Sequence, residues 1–253
     1  MTPDDSPDLP LLAPDPPGGS SPVISDAVRY KPRGRKMGFL NAARQERLAR
    51  LAPRYALPEV IADRESLLRG WGADPATARL MLEIGFGNGV FTAGLARQHP
   101  GDRIIASEVF LEGVAGLLKR LETEGLENVR VTTEPAFLLL RDRLAGVRLD
   151  RVIVNFPDPW PKTRHHKRRL VQVELLDLLA ERMVPGGMLE MATDWEEYAA
   201  WMMALGEGHG AFENAMGAAG FAPEPEDWTR TNFQAKGESA GRRTWHLRWR
   251  RRE

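Results

Sequence analysis

The sequence predicts an α/β fold built on a largely parallel sheet with helical crossovers. Short apolar runs near residues 80–84, 103–108, 129–133 and 149–155 alternate with amphipathic helical patterns, the order that parallel strands joined by helices require. Three glycines, Gly85, Gly87 and Gly89, follow the first run directly, at the place where an open α/β sheet binds nucleotides. The chain has 253 residues, 42% of them hydrophobic and 28% charged, which suffices to bury a full core in one catalytic domain.

Taken in order, residues 1–24 hold four Asp and neither Lys nor Arg, and are rich in Pro, Gly and Ser. So little apolar surface cannot offset the entropy of ordering, and a disordered tail is expected. Residues 25–60 read as a basic arm, because positions 28–54 carry nine Lys or Arg against the single acid Glu46. Within it, Ala42, Ala43, Leu48 and Leu51 suggest a short helix from Asn41 to Leu51 with an Arg-rich outer face. The fold proper then occupies residues 61–253. After the fourth strand a helix is expected over about Leu170 to Met183, closed by the turn Pro185-Gly186-Gly187, and then a strand over Met188–Ala192. The alternating Trp245, Leu247 and Trp249 predict a strand near the C-terminus.

Composition closes several classes. The chain has no cysteine, so disulfide frameworks, thiolate nucleophiles and thiolate metal sites are excluded. Its apolar runs fall short of the roughly 18 to 20 residues that a membrane-spanning helix needs, and no secretory signal opens the chain, so no membrane partner and a cytoplasmic location are expected. A net charge of zero argues weakly against a nucleic-acid partner, but the charge is segregated. Besides the arm, basic clusters span Lys162–Arg169 and Arg242–Arg252.

The segment Glu83-Ile-Gly-Phe-Gly-Asn-Gly89 departs from the G-x-G-x-x-G spacing of pyrophosphate sites. Glu83 stands two residues before the first glycine, where a carboxylate repels phosphate and attracts the sulfonium or ammonium of S-adenosylmethionine. Glu108 follows Gly89 by 19 residues, a spacing that suits a carboxylate accepting both ribose hydroxyls. A nicotinamide-dependent oxidoreductase of related fold would lack the acid at Glu83.

The most specific stretch is Asn155-Phe-Pro-Asp-Pro-Trp-Pro-Lys-Thr-Arg-His-His-Lys-Arg-Arg169, directly after the fourth strand. Its prolines fix their own φ and push each preceding residue toward extended backbone, so Asp158 and Trp160 are expected to be held rather than mobile. Trp160 can stack on a flipped-out base, and Asp158 can accept hydrogen bonds from a guanine N1 and N2 edge. Lys162, Arg164, Lys167, Arg168 and Arg169 would then lie where an RNA backbone passes. His165 and His166 have no Cys or carboxylate at ligand spacing, so phosphate contact or packing is expected of them and no metal site. A methyltransferase acting on another RNA or on protein remains open at this point.

With these residues in hand, the chain resembles the bacterial tRNA (guanine-N7)-methyltransferase family, which builds m7G in the tRNA variable loop. The resemblance runs over about residues 30–250 and rests on Glu83–Gly89, Phe156–Lys162 with the following His-His-Lys-Arg-Arg, and Ala192-Thr-Asp-Trp195. It implies a Rossmann-like class I S-adenosylmethionine-dependent methyltransferase fold, with a mostly parallel seven-stranded sheet and helices on both faces. It further implies S-adenosyl-L-methionine as cofactor, S-adenosyl-L-homocysteine as product and tRNA as partner, and leaves monomer and homodimer undecided. Carried over, the cofactor-binding residues are Glu83, Gly85, Gly87, Gly89, Glu108 and Glu134, and Asp158 is the catalytic or guanine-orienting acid. Lys162 and Asp194 bind substrate, with Asp194 read alternatively as the cap of a helix from Trp195 to Leu205, and Arg164, His165, His166, Lys167, Arg168 and Arg169 contact RNA. Two departures stand out. Thr231-Asn232-Phe233-Gln234 replaces the family's Thr-Lys-Phe-Glu, keeping the substrate-binding position but not its charges. Glu134-Pro135-Ala136 places a proline where the family has an acid, so either Glu134 substitutes from one position earlier or backbone groups alone meet the adenine.

Overall fold

The computed structural model describes residues 40–253; the expected tail and the basic stretch through residue 39 lie outside the described residues. The first element, α1 (Ala42–Tyr55), is capped by Asn41, whose side chain accepts from the Arg44 amide at 3.0 Å. It runs one turn beyond the expected end because Leu51 and Tyr55 are both buried. Its arginines do not all face solvent unpaired: Arg50 and Arg54 pair with Glu122 and Glu127 across the helix face. After it, Leu57 donates its amide to Val131 at 3.0 Å, which covers an edge strand that would otherwise present open backbone groups.

A short helix, α2 (Arg64–Gly70), is closed at its start by a capping box between Asp63 and Ser66. There follow β1 (Leu80–Ile84), α3 (Val90–Gln98), β2 (Arg103–Ser107), α4 (Leu111–Glu124), β3 (Val129–Thr132) and β4 (Leu149–Asn155). Helical residues 136–143 link β3 to β4. The second half holds a 3-10 turn (Thr163–Arg168), α5 (Val173–Arg182), β5 (Met183–Thr193), α6 (Glu196–Gly208), β6 (Phe212–Asn214), α7 (Asn232–Ser239) and β7 (Trp245–Arg251).

The seven strands form one sheet in the order β3-β2-β1-β4-β5-β7-β6. β1 to β5 pair in parallel, and β7 runs antiparallel between β5 and β6. Alternate residues of the strands feed two cores, as the two-residue period of a strand dictates. Leu80, Leu82 and Ile84 pack with α2, α5 and α6 on one face, while Met81, Ile104 and Ala106 pack with α1, α3 and α4 on the other.

The turn expected at Pro185-Gly186-Gly187 exists, but inside a strand rather than before one. The pairing jumps from Leu149↔Met183 to Arg151↔Met188, so these residues form a bulge, with Gly186 at φ 78°. The helix expected from Leu170 begins at Val173, since Gln172 is extended and the Val171 amide and carbonyl are taken by Tyr198 and Trp201. β7 confirms the terminal strand, and its Trp249 is fully buried against Gly206 of α6. A Cβ at Gly206 would stand 2.3 Å from the Trp249 ring. Gly206→Ala is therefore expected to destabilise the fold by about 1–3 kcal/mol through overpacking, read as a lowered thermal midpoint; an unchanged midpoint would refute the close contact.

Candidate functional site

The site forms where the sheet order reverses. The helix after β1 leaves to one face and the segment after β4 leads to α5 on the other, so the two loops at the adjacent carboxyl ends border a crevice.

On the β1 side, Gly85, Gly87 and Gly89 all take left-handed backbone, at φ 76°, 59° and 72°, which costs glycine little. At Gly85 and Gly87 an added Cβ would meet nothing within 4 Å, so the loop faces open space that a ligand can enter. Behind it the loop is tightly backed, since a Cβ on Gly113 of α4 would lie 2.1 Å from the Gly87 carbonyl oxygen. Glu108 fixes the loop by accepting from the Gly87 amide at 2.9 Å and from the Phe110 amide at 3.0 Å. Its carboxylate thus shapes the loop.

Glu83 is 1% exposed and accepts a 2.6 Å hydrogen bond from the Thr92 hydroxyl. Burial pushes its carboxyl up to about 7, with Thr92 and Arg151 opposing and Glu108 adding to the rise. A buried carboxylate of this kind gains from a cationic ligand. Glu134 accepts from Arg143 at 2.8 Å through one oxygen, while its other oxygen, Oε2, is buried without a hydrogen-bond partner. That orphan acceptor suits a ligand N–H. Pro135 stands at the start of the short helix 136–138 with φ −56°, where proline's fixed φ is favourable. These three acids and the open glycine cradle fit an adenosyl cofactor with a positively charged end.

On the β4 side, the Pro-rich loop differs from expectation in one respect. Phe156 and Trp160, which precede prolines, are left-handed, at φ 49° and 43°, rather than extended. Such backbone costs of order 1–3 kcal/mol each and persists only where the surroundings over-determine it. The surroundings do so here. The Phe156 amide donates to Ala192 at 2.7 Å, and its ring lies 5.3 Å from Phe233 and 6.2 Å from Trp228. Trp160 has the Arg168 guanidinium 5.1 Å over its ring and His165 at 5.9 Å edge-on. Asp158 and Lys162 are exposed at this loop.

Of the basic cluster, Arg164, Lys167 and Arg168 are exposed. Burial and then the cations Arg168 and Arg164 lower the His165 imidazole below its ordinary range, and His166 lies 5.8 Å from the Trp201 ring. Arg169 does not share that surface. Its side chain is 0% exposed and pairs with Glu197 at 2.6 Å, which corrects the expectation that it meets RNA.

Asp194 does not cap α6; the cap position belongs to Trp195, whose amide is taken by the Thr193 hydroxyl at 3.2 Å. Asp194 instead accepts from Arg242 at 2.7 Å and lies against Gly237. Thr231 caps α7 by accepting from the Gln234 amide at 3.2 Å, and Asn232 is the first residue of that helix. Phe233 is exposed beside Phe156. Gln234 is buried: it accepts from Trp228 Nε1 at 2.7 Å and donates to Glu224 and Glu238 at 3.1 and 3.2 Å. An amide in place of the family's carboxylate can donate to those two acids, which a glutamate could not.

Sequence reasoning missed Trp228 and what anchors it. Arg151, buried in β4, bonds Asp227 and Glu190, each at 2.5 Å, and His99 bonds Asp227 at 2.8 Å. Nearby, a Cβ on Gly94 of α3 would fall 2.0 Å from the Thr229 hydroxyl and 2.6 Å from its Cβ. The segment carrying Trp228 and Thr231 is therefore pinned across α3 at the margin of the crevice. No local pattern marks it, because its partners are remote in sequence.

A family model described as "Putative methyltransferase" matches residues 77–247. A tRNA (guanine-N(7)-)-methyltransferase of Magnetococcus marinus is 46% identical over 224 residues, covering 88% of each chain. That of Halorhodospira halophila is 39% identical over 218 residues, covering 85% of this chain and 92% of its own. Among solved structures, the 16S rRNA methyltransferase KamB matches with a TM-score of 0.53 at 14% identity, over 78% of this chain and 96% of its own; it shares the fold.

The Glu83 carboxyl sets a pH dependence. Because its folded value, about 7, exceeds the ordinary 4.5, the folded state keeps a proton that the unfolded chain releases, so stability falls as pH rises from 4.5 through 7. The full penalty, about 3 kcal/mol at roughly 1.4 kcal/mol per unit, applies above that window. Ligand-free Glu83→Gln should thus lose less thermal stability than wild type between pH 5 and 8. Over the same range the affinity of wild type for S-adenosylmethionine should rise. Parallel stability profiles for the two proteins would contradict this assignment.

Proposed function

The chain belongs to the tRNA (guanine-N(7)-)-methyltransferase family, and from that premise we propose that it methylates N7 of a guanosine in the variable loop of tRNA, using S-adenosylmethionine. The observation that carries the reading is the juxtaposition, at adjacent carboxyl strand ends, of an acid-lined glycine loop and a rigid Pro-rich loop bearing Asp158.

Glu83, Glu108, Glu134 and the backbone of Gly85, Gly87 and Gly89 would hold the cofactor, with the orphan Glu134 Oε2 taking an N–H of the adenine. When bound, the cofactor supplies an electrophilic methyl group on a sulfonium. Guanine N7 carries a lone pair and no proton, so no general base is needed to create the nucleophile, and alignment supplies most of the acceleration. Asp158 orients the guanine through its N1 and N2 edge and stabilises the positive charge that the purine acquires. Lys162, Asp194 and the Thr231–Gln234 segment border the guanosine. Gln234 contributes there through the position of Trp228, since its own amide is engaged internally. Arg164, His165, His166, Lys167 and Arg168 line the course of the RNA backbone, whose neutralisation supplies affinity and salt dependence. S-adenosylhomocysteine is the product. No helix among the described residues is long and apolar enough to cross a membrane, and we place the protein with its tRNA in the cytoplasm.

Incubation with unmodified tRNA and labelled methyl donor, followed by nucleoside analysis, is expected to yield m7G in the variable loop; label on another nucleoside or none would overturn the reading. Asp158→Asn should lower turnover roughly a hundredfold or more, in line with the loss of one charge-stabilising group. Its affinity for S-adenosylhomocysteine should stay within about twofold of wild type, because no cofactor contact is removed. Full turnover by the variant would remove Asp158 from the mechanism.

A further inference from the structure

The Pro-rich loop poses a backbone problem that its own residues cannot solve. Pro157, Pro159 and Pro161 have no N–H to donate, and a carbonyl drawn away from solvent needs a donor from elsewhere. The donor to the Pro159 carbonyl is Arg169, through Nε at 2.9 Å. That carbonyl lies between Asp158 and the left-handed Trp160.

The rest of the Arg169 guanidinium is committed to α6. Nη1 and Nη2 donate to the two oxygens of Glu197 at 3.2 and 2.6 Å, and the guanidinium carbon stands 4.8 Å over the Tyr198 ring and 5.1 Å over the Trp201 ring. Those rings are themselves anchored. The Val171 amide donates to the Tyr198 hydroxyl at 3.1 Å, and Trp201 Nε1 donates to the Val171 carbonyl at 3.0 Å. With its side chain 0% exposed, Arg169 has no surface to offer a phosphate.

We propose that Arg169 is a positioning residue: it ties the Asp158 loop to the start of α6, and so sets Asp158 relative to the Asp194 loop that immediately precedes that helix. The assignment rests on the methyl-transfer reading above for its kinetic consequence but not for its structural one. A lysine cannot replace it, because one ammonium cannot span the Pro159 carbonyl and both Glu197 oxygens as the planar fork does.

The test compares Arg169→Lys and Glu197→Gln with Lys167→Ala, a surface cation of the same cluster. Hydrogen exchange of the segment 155–168 is measured in the free proteins, along with tRNA affinity, its salt slope, and kcat and KM for tRNA. Arg169→Lys should speed exchange in that segment about tenfold and lower kcat by a similar factor or more, while tRNA affinity, its salt slope and KM stay within about twofold of wild type. Glu197→Gln leaves Arg169 in place with one weakened partner, and should shift exchange and kcat in the same direction by less; it carries the test if Arg169→Lys fails to fold. Lys167→Ala should show the reverse, a weaker tRNA complex with a salt slope reduced by about one and unchanged loop exchange. Wild-type exchange or wild-type kcat in the Arg169→Lys protein overturns the proposal, as does a loss of tRNA affinity like that of Lys167→Ala. If wild type itself makes no m7G, the functional reading fails while the exchange result still decides whether Arg169 holds the loop.

Discussion

Everything at the site depends on β1 and β4 being parallel neighbours whose onward connections leave to opposite faces of the sheet. Side-by-side strands bring their carboxyl ends together, and opposed connections keep the following loops from covering the gap. The glycine loop and the Pro-rich loop inherit their places from this one constraint. The chain then stiffens each by a different means. The glycine loop is backed by α4 and held by the Glu108 carboxylate, whereas the Pro-rich loop, poor in backbone donors, is held by side chains from other elements: Phe233 and Trp228 around Phe156, and Arg169 beneath Pro159. Both loops are held by contacts from the fold itself, which suits a reaction whose barrier is lowered chiefly by alignment.

Charge is distributed to match. The arginines of α1 that pair with Glu122 and Glu127 bind the chain to itself, and Arg151 is consumed in anchoring Asp227 and Glu190. A net charge of zero therefore conceals two populations. One serves packing; the other, Arg164, Lys167 and Arg168, is exposed beside Asp158.

Much of this was legible from residues alone. The first four strands fall within a residue of their expected ends, because a strand buried on both faces is an unbroken apolar run bounded by polar turns. The tight turn at the three glycines was legible because a glycine-rich turn after a strand is a local feature. Where the reading failed, the deciding partner was remote or the local signal pointed the other way. Pro185-Gly186-Gly187 reads as a turn, and only its pairing with β4 makes it a bulge. β6 is three residues long, too short to show a period, and α7 has no apolar stripe to betray it, resting on the Thr231 cap and on Gln234. Phe156 and Trp160 defied the pre-proline rule because aromatic and cationic neighbours impose the rarer backbone. Arg169 was indistinguishable from its basic neighbours in a charge count, which does not register burial.

Gly94 lies in the middle of a helix, where glycine costs about 1 kcal/mol relative to alanine, yet the Thr229 side chain fills the space that a methyl group there would need. The two positions thus form one steric unit. Enlarging residue 94 without shrinking residue 229 would lift the strap that carries Trp228 and Thr231. The seat of a strap at the crevice is in this way set by a side chain that is missing from the helix beneath it.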